Sequence, residues 1–158
     1  MGGGIDALLA ERAITDVLHN YCRGVDSIDA ALLSTVFAED CVVDYGPSMG
    51  GPRRGRDAIV AGLVAGLPRY AATHHQVSNV QLCLDGDDAA SGVTYVTAWH
   101  RFDDGRPDAV FYGQYHDRFV STSDGWRIAE RRLFSSGNEN FDVEWRMIPR
   151  LGRSLWQR

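Results

Sequence analysis

The sequence contains no lysine, so all 16 basic side chains are arginines, and 21 acidic residues leave the chain with a net charge of -5. No basic block is long enough to follow a phosphate backbone, which argues against a nucleic-acid partner. No stretch approaches the roughly 20 apolar residues of a membrane-spanning helix, and the N-terminus lacks the layout of a signal peptide. We therefore expect no membrane partner and a cytoplasmic location.

Cysteine is scarce as well, with three residues, Cys22, Cys41 and Cys83. An odd number of widely spaced cysteines within apolar segments is typical of buried free thiols in a reducing compartment, and it argues against a disulfide framework or a zinc site. The sequence also lacks a phosphate loop, a dinucleotide fingerprint, a nucleophile elbow and an H-E-x-x-H helix. We expect no cofactor and no metal ion, which leaves acidic and basic side chains to carry any chemistry.

Helices are predicted in the first part of the chain. Apolar residues recur with helical spacing from Ile5 to about Val25, which predicts an amphipathic helix with one buried face. Asp29 is typical of an N-cap for a short second helix over residues 30–37. A candidate carboxylate at position 26 would then lie in the corner between the two helices.

A third helix follows a short strand and a loop. Residues 41–45 are β-prone, and residues 46–55 are rich in glycine and proline, which predicts a loop. Arg56 opens a stretch with helical apolar spacing that Pro68 ends.

The second half of the chain changes to the composition of β-strands. Val, Thr, Tyr, Trp and Phe are enriched over residues 73–84, 89–102, 109–121 and 125–135. Turn residues such as Asp-Gly separate these segments, which predicts an antiparallel meander. The order predicts an α+β fold in which three N-terminal helices pack on one face of a curved sheet.

The chain is interpreted as a single domain over residues 1–158, since no repeat or linker marks a second one. Residues 1–4 are expected to be a flexible leader. The tail over residues 139–158 carries Trp145 and Trp156 and is too apolar to be fully solvated. We expect it to cover a pocket mouth or a subunit partner.

His75 is the first candidate for chemistry. Strand alternation puts His74 and His75 on opposite faces, so one imidazole points inward, where it is suited to carry a proton near neutral pH. A buried histidine that only satisfies backbone groups is the alternative. Asp26, one turn beyond Cys22 on the first helix, could orient this imidazole and stabilise its protonated form; its alternative is a helix cap.

Further polar candidates lie on apolar elements. His100, on the second long strand, is either a second catalytic imidazole or a residue at the edge of the core. Tyr21 and Tyr45 could donate hydrogen bonds to a carbonyl or to a leaving oxygen, although aromatic residues at such positions are more often part of the core.

Substrate contacts are expected from the strands. Arg132 shares strand parity with Trp126 and Ile128, so it is the inward member of the pair Arg131–Arg132 and could bind an anionic or carbonyl group. Inward aromatic side chains would favour a flat, hydrophobic, cyclic or polycyclic substrate. The candidates are Trp99, Phe111, Tyr112 and Phe134.

Four motifs in this order resemble the SnoaL-like branch of the nuclear transport factor 2-like superfamily. They are the helix over residues 13–21 running into Val25-Asp26, the segment 37–45, His75-x-x-x-Asn79, and Gly125-Trp126-Arg127-Ile128. The resemblance implies a cone-shaped, curved antiparallel or mixed sheet that encloses a pocket with its helices. It also implies association into homodimers or homotrimers.

Within that superfamily the chain is similar to scytalone dehydratase, the bile acid 7α-dehydratases and the hexachlorocyclohexane dehydrochlorinases. The resemblance implies that His75 and Asp26 form a dyad that removes a carbon-bound proton, with Tyr21, Tyr45 and His100 as partners. A lysine expected near the dyad of a dehydrochlorinase has no counterpart, which disfavours dehydrochlorination. The implied function is a cofactor-independent dehydratase; the alternatives are an isomerase or cyclase, and a noncatalytic protein such as a ligand-binding module or the small subunit of a ring-hydroxylating oxygenase.

Overall fold

The computed structural model describes residues 4–149 of the chain. Its helices are α1 (Ile5–Asp26), α2 (Ala30–Ser34) and α3 (Arg56–Gly66), and its strands are β1 (Phe37–Asp44), β2 (Arg53–Arg54), β3 (Tyr70–Asp85), β4 (Ala89–Phe102), β5 (Ala109–Thr122) and β6 (Gly125–Glu139). The strands form one six-stranded sheet in the order β2-β1-β6-β5-β4-β3.

The sheet is mixed. Strands β3 to β6 form the predicted antiparallel meander, whereas β1 runs parallel to β6 and antiparallel to β2. Its hairpins turn at Gly86, Gly105 and Gly125, all of which adopt positive φ angles. The predicted α+β class with a curved sheet and three helices is confirmed.

The main difference from the predicted elements lies between α2 and β1. The second helix ends at Ser34, so Phe37 begins a strand instead of ending a helix. Phe37 lies opposite Ile128 of β6, and the Ile128 amide donates to the Val36 carbonyl oxygen at 2.9 Å. These cross-strand partners are invisible to local sequence patterns, and they outweigh the helical spacing of the segment.

The segment predicted as a loop, residues 46–55, holds two short elements. A 3-10 turn spans Pro47–Met49, and Arg53 and Arg54 pair with Val43 and Val42 as strand β2. This two-residue strand lies at the sheet edge, where a glycine- and proline-rich sequence gives little β signal.

The core lies between α1 and the concave face of the sheet. Ile14, Leu18 and Val25 of α1 are buried, whereas the first turns of the helix expose Ile5, Leu8 and Leu9, which the predicted apolar face had included. Among residues 4–149, no helix is long and apolar enough to cross a membrane.

The cysteines are free thiols. Cys22 and Cys41 are buried as expected, but Cys83 is exposed on β3. Cys83 lies on β3, which is the edge strand of the sheet. An apolar sequence segment on an edge strand can leave some of its side chains exposed.

The described part of the tail returns along β6. The Ser135 amide donates to the Arg146 carbonyl oxygen at 2.7 Å, and the Ile148 amide donates to the Ser135 carbonyl oxygen at 2.9 Å. This pairing places Phe141 and Trp145 over the concave face, where both line a cavity. Trp156 and the leader residues 1–3 lie outside the described residues.

Candidate active site

Asp26 and His75 meet at the corner between α1 and β3. The Nδ1 atom of His75 lies 2.7 Å from Oδ1 of Asp26. The same carboxylate accepts the Thr73 hydroxyl at 2.8 Å and the His75 backbone amide at 2.9 Å. Three donors from one strand therefore hold the last residue of α1 against the imidazole. Asp26 makes these contacts across to β3 and is not simply a cap of its own helix.

The environment of Asp26 favours its ionised form. Burial on its own would raise the pKa of the carboxyl, but hydrogen bonds from the His75 ring, the His75 amide and the Thr73 hydroxyl outweigh burial and lower that pKa. A carboxylate that stays charged can stabilise the imidazolium that forms when His75 takes up a proton.

The two adjacent histidines separate as alternation predicts. His74 is exposed, whereas the His75 side chain is 7% exposed and lines the cavity. Because Nδ1 faces Asp26, the other ring nitrogen, Nε2, is left for a bound molecule.

The cavity has a volume of about 140 Å³ and lies between α1, α3, the sheet and the tail. An apolar cavity of about this size can hold a benzene ring. Its wall is mostly aromatic and aliphatic, with polar atoms supplied by a few tyrosines and histidines and by Arg69. The lining residues include Tyr21, Val25, Tyr45, Leu63, Tyr70, His75, Ala98, His100, Phe111, Tyr115, Leu133, Phe141 and Trp145.

His100 lies beside the dyad within this wall. Its ring centroid is 5.3 Å from that of His75 and 4.5 Å from that of Tyr70, and its Nδ1 atom lies 3.3 Å from the Ala98 carbonyl oxygen. Burial, reinforced by the nearby His75, lowers the pKa of His100 to about 4. The ring is therefore neutral at physiological pH and can exchange hydrogen bonds with a ligand without carrying charge.

Tyr21 and Tyr45 form the opposite part of the wall. Their hydroxyl oxygens are 2.9 Å apart, so one phenol donates to the other. Burial raises the pKa of both groups, and also that of Tyr115, which packs edge-on against Tyr21. All three phenols keep their protons at neutral pH and can act as hydrogen-bond donors.

A buried ion pair supports the tyrosines from behind. Arg131 donates from Nε and Nη2 to the two oxygens of Asp117, at 2.8 and 2.7 Å, and both side chains are 0% exposed. The guanidinium carbon lies 4.3 Å from the ring centroid of Tyr21 and 3.9 Å from that of Tyr115. Its remaining nitrogen, Nη1, is buried with no hydrogen-bond partner among the described residues.

The expected orientation of Arg132 is wrong, because Arg131 points inward and Arg132 is exposed. Phe119 lies opposite Ile128 and Arg118 lies opposite Glu130, so one extra residue of β6 bulges between them. A bulge of one residue reverses strand parity beyond it. Inward positions therefore change from even to odd numbers along β6.

Three of the four aromatic side chains expected to contact substrate also lie outside the cavity. Trp99 bonds through its indole nitrogen to Asp108, and Tyr112 donates to Glu139. Phe134 stacks against His116 on the outer face. Trp99 and Tyr112 alternate with the inward residues of their strands, so their side chains point away from α1. Phe134 lies beyond the bulge in β6, where the inward positions are odd-numbered.

Phe111 is the aromatic candidate that lines the cavity, and Trp145 lies in the tail that was expected to cover a pocket mouth or a subunit partner. Tyr70, Tyr115 and Phe141 were not among the candidates for the wall. A signal existed for Tyr115, which has the same strand parity as Phe111. Phe141 and Trp145 lie in a tail whose path no periodic pattern reports. No group of three His, Cys, Asp or Glu side chains within residues 4–149 is arranged to hold a metal ion.

Solved structures with the same fold include two from Novosphingobium. A candidate scytalone dehydratase from Novosphingobium aromaticivorans DSM 12444 is 28% identical, with a TM-score of 0.82 over 94% of this chain and 97% of that one. A hexachlorocyclohexane dehydrochlorinase from Novosphingobium barchaimii LL02, 18% identical, shares the fold with a TM-score of 0.75 over 92% and 99% of the two chains. The structural neighbours thus include enzymes.

Sequence comparisons agree with the structural ones. An uncharacterized protein of Mycobacterium tuberculosis H37Rv is 32% identical over 119 residues, which cover 75% of this chain and 80% of that protein. Residues 6–132 match the SnoaL-like domain family. The chain therefore belongs to the SnoaL-like domain family of the nuclear transport factor 2-like superfamily, as its motifs predict.

Proposed function

We propose that the protein is a cofactor-independent lyase that dehydrates a small cyclic hydroxyketone. The observation that carries the proposal is the 2.7 Å contact between Asp26 and the imidazole of His75, which lines a mainly apolar cavity. An imidazole that lines such a cavity and is held from behind by a carboxylate is suited to proton abstraction from carbon.

The base in this reaction is His75. Its Nε2 atom takes the proton from the carbon next to the carbonyl, and the electron pair of that C–H bond moves into an enolate. Asp26, ionised at neutral pH, stabilises the imidazolium and holds the ring in place. The hydrogen bonds from Thr73 and from the His75 amide keep the carboxylate oriented, and neither of them uses a nitrogen of the His75 ring.

The phenols supply the stabilisation of the enolate. Tyr21 and Tyr45 are linked at 2.9 Å and remain protonated, so the pair can donate a hydrogen bond to the enolate oxygen. The positive charge of Arg131 behind Tyr21 favours negative charge on this side of the cavity. Collapse of the enolate expels the neighbouring hydroxyl, which takes the proton from His75 and leaves as water.

The size of the cavity limits the substrate. About 140 Å³ suits one six-membered ring, so we propose a monocyclic substrate in place of a polycyclic one. The mostly apolar wall favours binding of the ring. The tyrosine hydroxyls can bind its carbonyl oxygen, and His75 can take the proton of its acidic C–H bond.

The test uses 3-hydroxycyclohexanone, whose dehydration gives cyclohexenone and can be followed by ultraviolet absorbance. We expect His75→Gln to lower kcat/KM on the order of 100- to 10,000-fold, the usual contribution of a general base. His74→Gln is the matched control, because this neighbour is exposed on the opposite face of β3. Its activity should equal that of the unmodified protein.

Proton exchange separates the related possibilities. In heavy water, incorporation of deuterium next to the carbonyl without loss of water would indicate an isomerase or cyclase that uses the same dyad. If cyclohexanone and its 3-hydroxy derivative show neither deuterium uptake nor elimination, the dyad is not a base toward ketones, and a noncatalytic ligand-binding protein is the better account.

A further inference from the structure

A second hollow adjoins the cavity at α3. It has a volume of about 370 Å³ and lies between α3 and the segment that follows β1. We call it the vestibule. Residues that border both spaces are Tyr45, Met49, Gly62, Leu63, Gly66 and Arg69. Gly62 and Gly66 are four positions apart on one face of α3, so no side chain from these positions separates the two spaces.

The vestibule carries positive charge. Arg53 and Arg69 line it, and Arg69 also lines the cavity. No aspartate or glutamate borders either space among the described residues, although the chain as a whole has a net charge of -5. The two guanidinium groups form no ion pair with any residue from 4 to 149.

The backbone holds Arg53 over the vestibule. Its strand β2 pairs with β1, where Arg53 lies opposite Val43. The guanidinium crosses α3 at Gly62, and a β-carbon on that glycine would overlap the Arg53 guanidinium. Because position 62 has no side chain, the Arg53 guanidinium can lie against the helix. This contact orients Arg53, a role that a counter-ion normally has for an arginine.

The charge of Arg69 reaches into the cavity. Its guanidinium carbon is 5.0 Å from the ring centroid of Tyr70, which lines the cavity beside His100. Burial and the nearby His75 are the main causes that lower the pKa of His100, and the positive charge of Arg69 adds a smaller decrease. A ligand in the cavity is therefore within the electrostatic field of this arginine.

We infer that the substrate carries an anionic group, such as a carboxylate, which binds Arg53 and Arg69 in the vestibule while its ring occupies the cavity; the ring's position rests on the proposed function. Arginine presents several N–H donors in a planar fork that matches a carboxylate. Two arginines without counter-ions beside an apolar cavity fit a molecule with one apolar and one charged end.

The test compares carboxylates with their neutral amides. Benzoate, phenylacetate and 3-phenylpropanoate place the charge at increasing distances from a ring of fitting size, and calorimetry gives their dissociation constants next to those of the matching amides. We expect at least one carboxylate to bind about tenfold more tightly than its amide, as two charge-assisted hydrogen bonds allow. The advantage should shrink as salt is added, because the arginines are exposed.

The variants Arg53→Gln and Arg69→Gln should each reduce this advantage several-fold, and the double variant should abolish it. Arg54→Gln is the matched control, since this exposed neighbour on β2 borders neither space. Equal affinities for every carboxylate and amide, an advantage that survives the double variant, or no binding of any probe at about 10 mM would overturn the inference.

These probes have no leaving group, so their binding does not depend on catalysis by the dyad. A carboxylate advantage in a protein that fails to dehydrate ketones would reject the proposed function and retain the anion site. Dehydration of the ketone without that advantage would retain the proposed function and reject the anion site.

Discussion

The buried pair of Arg131 and Asp117 allows a test of what an internal charge does for this cavity. Asp117→Asn removes the negative charge but keeps the shape of the side chain. Both partners are 0% exposed and share two hydrogen bonds of 2.7–2.8 Å, so the substitution leaves a guanidinium in the interior without its counter-charge. Breaking such a pair from one side costs about 3–5 kcal/mol. We expect that loss in the free energy of unfolding.

Urea denaturation measures this loss, with circular dichroism and tryptophan fluorescence as independent probes of two-state behaviour. A domain of this kind has a stability of about 5–15 kcal/mol, so the variant should remain folded at low temperature but unfold at much lower urea. A decrease below about 1 kcal/mol would refute the reasoning, because it would mean that water or a rearranged side chain compensates the arginine.

The double variant Arg131→Met, Asp117→Leu separates stability from function. Replacing both charges by apolar groups of similar volume is often neutral or stabilising, so we expect most of the lost stability to return. The charge 4.3 Å from the Tyr21 ring is then gone, and dehydration should be slower although the fold is intact. A double variant as unstable as Asp117→Asn, or one with full activity, would contradict the role given to Arg131.

Three further perturbations test other contacts by the same denaturation assay. The pKa of His100 in the folded chain is about 4, below its ordinary value of 6.5. Between these two pH values, His100 is therefore protonated in the unfolded chain but neutral in the folded chain. Stability should fall by about 3 kcal/mol as the pH decreases from 6.5 to 4, and His100→Phe should flatten this dependence; an unchanged slope would contradict it. Asp29→Ala removes the acceptor of the Leu32 amide at 2.9 Å and should cost about 1 kcal/mol, whereas Asp29→Ser should retain most of the stability. Gly113→Ala puts a β-carbon against the Phe134 carbonyl oxygen of β6 and 2.6 Å from the Phe111 ring, and it should cost at least about 1–3 kcal/mol; no loss would mean that both the β6 backbone and the ring shift freely.

Local patterns were sufficient for most elements of the fold. The long strands are bounded by Asp-Gly turns, and α1 has a strong helical period, because turn residues and amphipathic spacing act over a few neighbours. The segment around Phe37 was placed wrongly, since its strand depends on β6, more than 90 residues away in sequence, as the pairing of Phe37 with Ile128 shows. Association into dimers or trimers stays a prediction.

The candidate site divides in the same way. The sequence by itself predicted that Asp26 lies at the corner between the first two helices and that His74 and His75 face opposite ways, and the family motifs predict Asp26 and His75 as a dyad. Only the tertiary structure decided that Arg131 faces inward and that Arg53 crosses α3 at Gly62. The bulge in β6 depends on the register between strands, and the path of Arg53 over α3 depends on a contact between a strand and a helix; both kinds of contact form only when the chain folds.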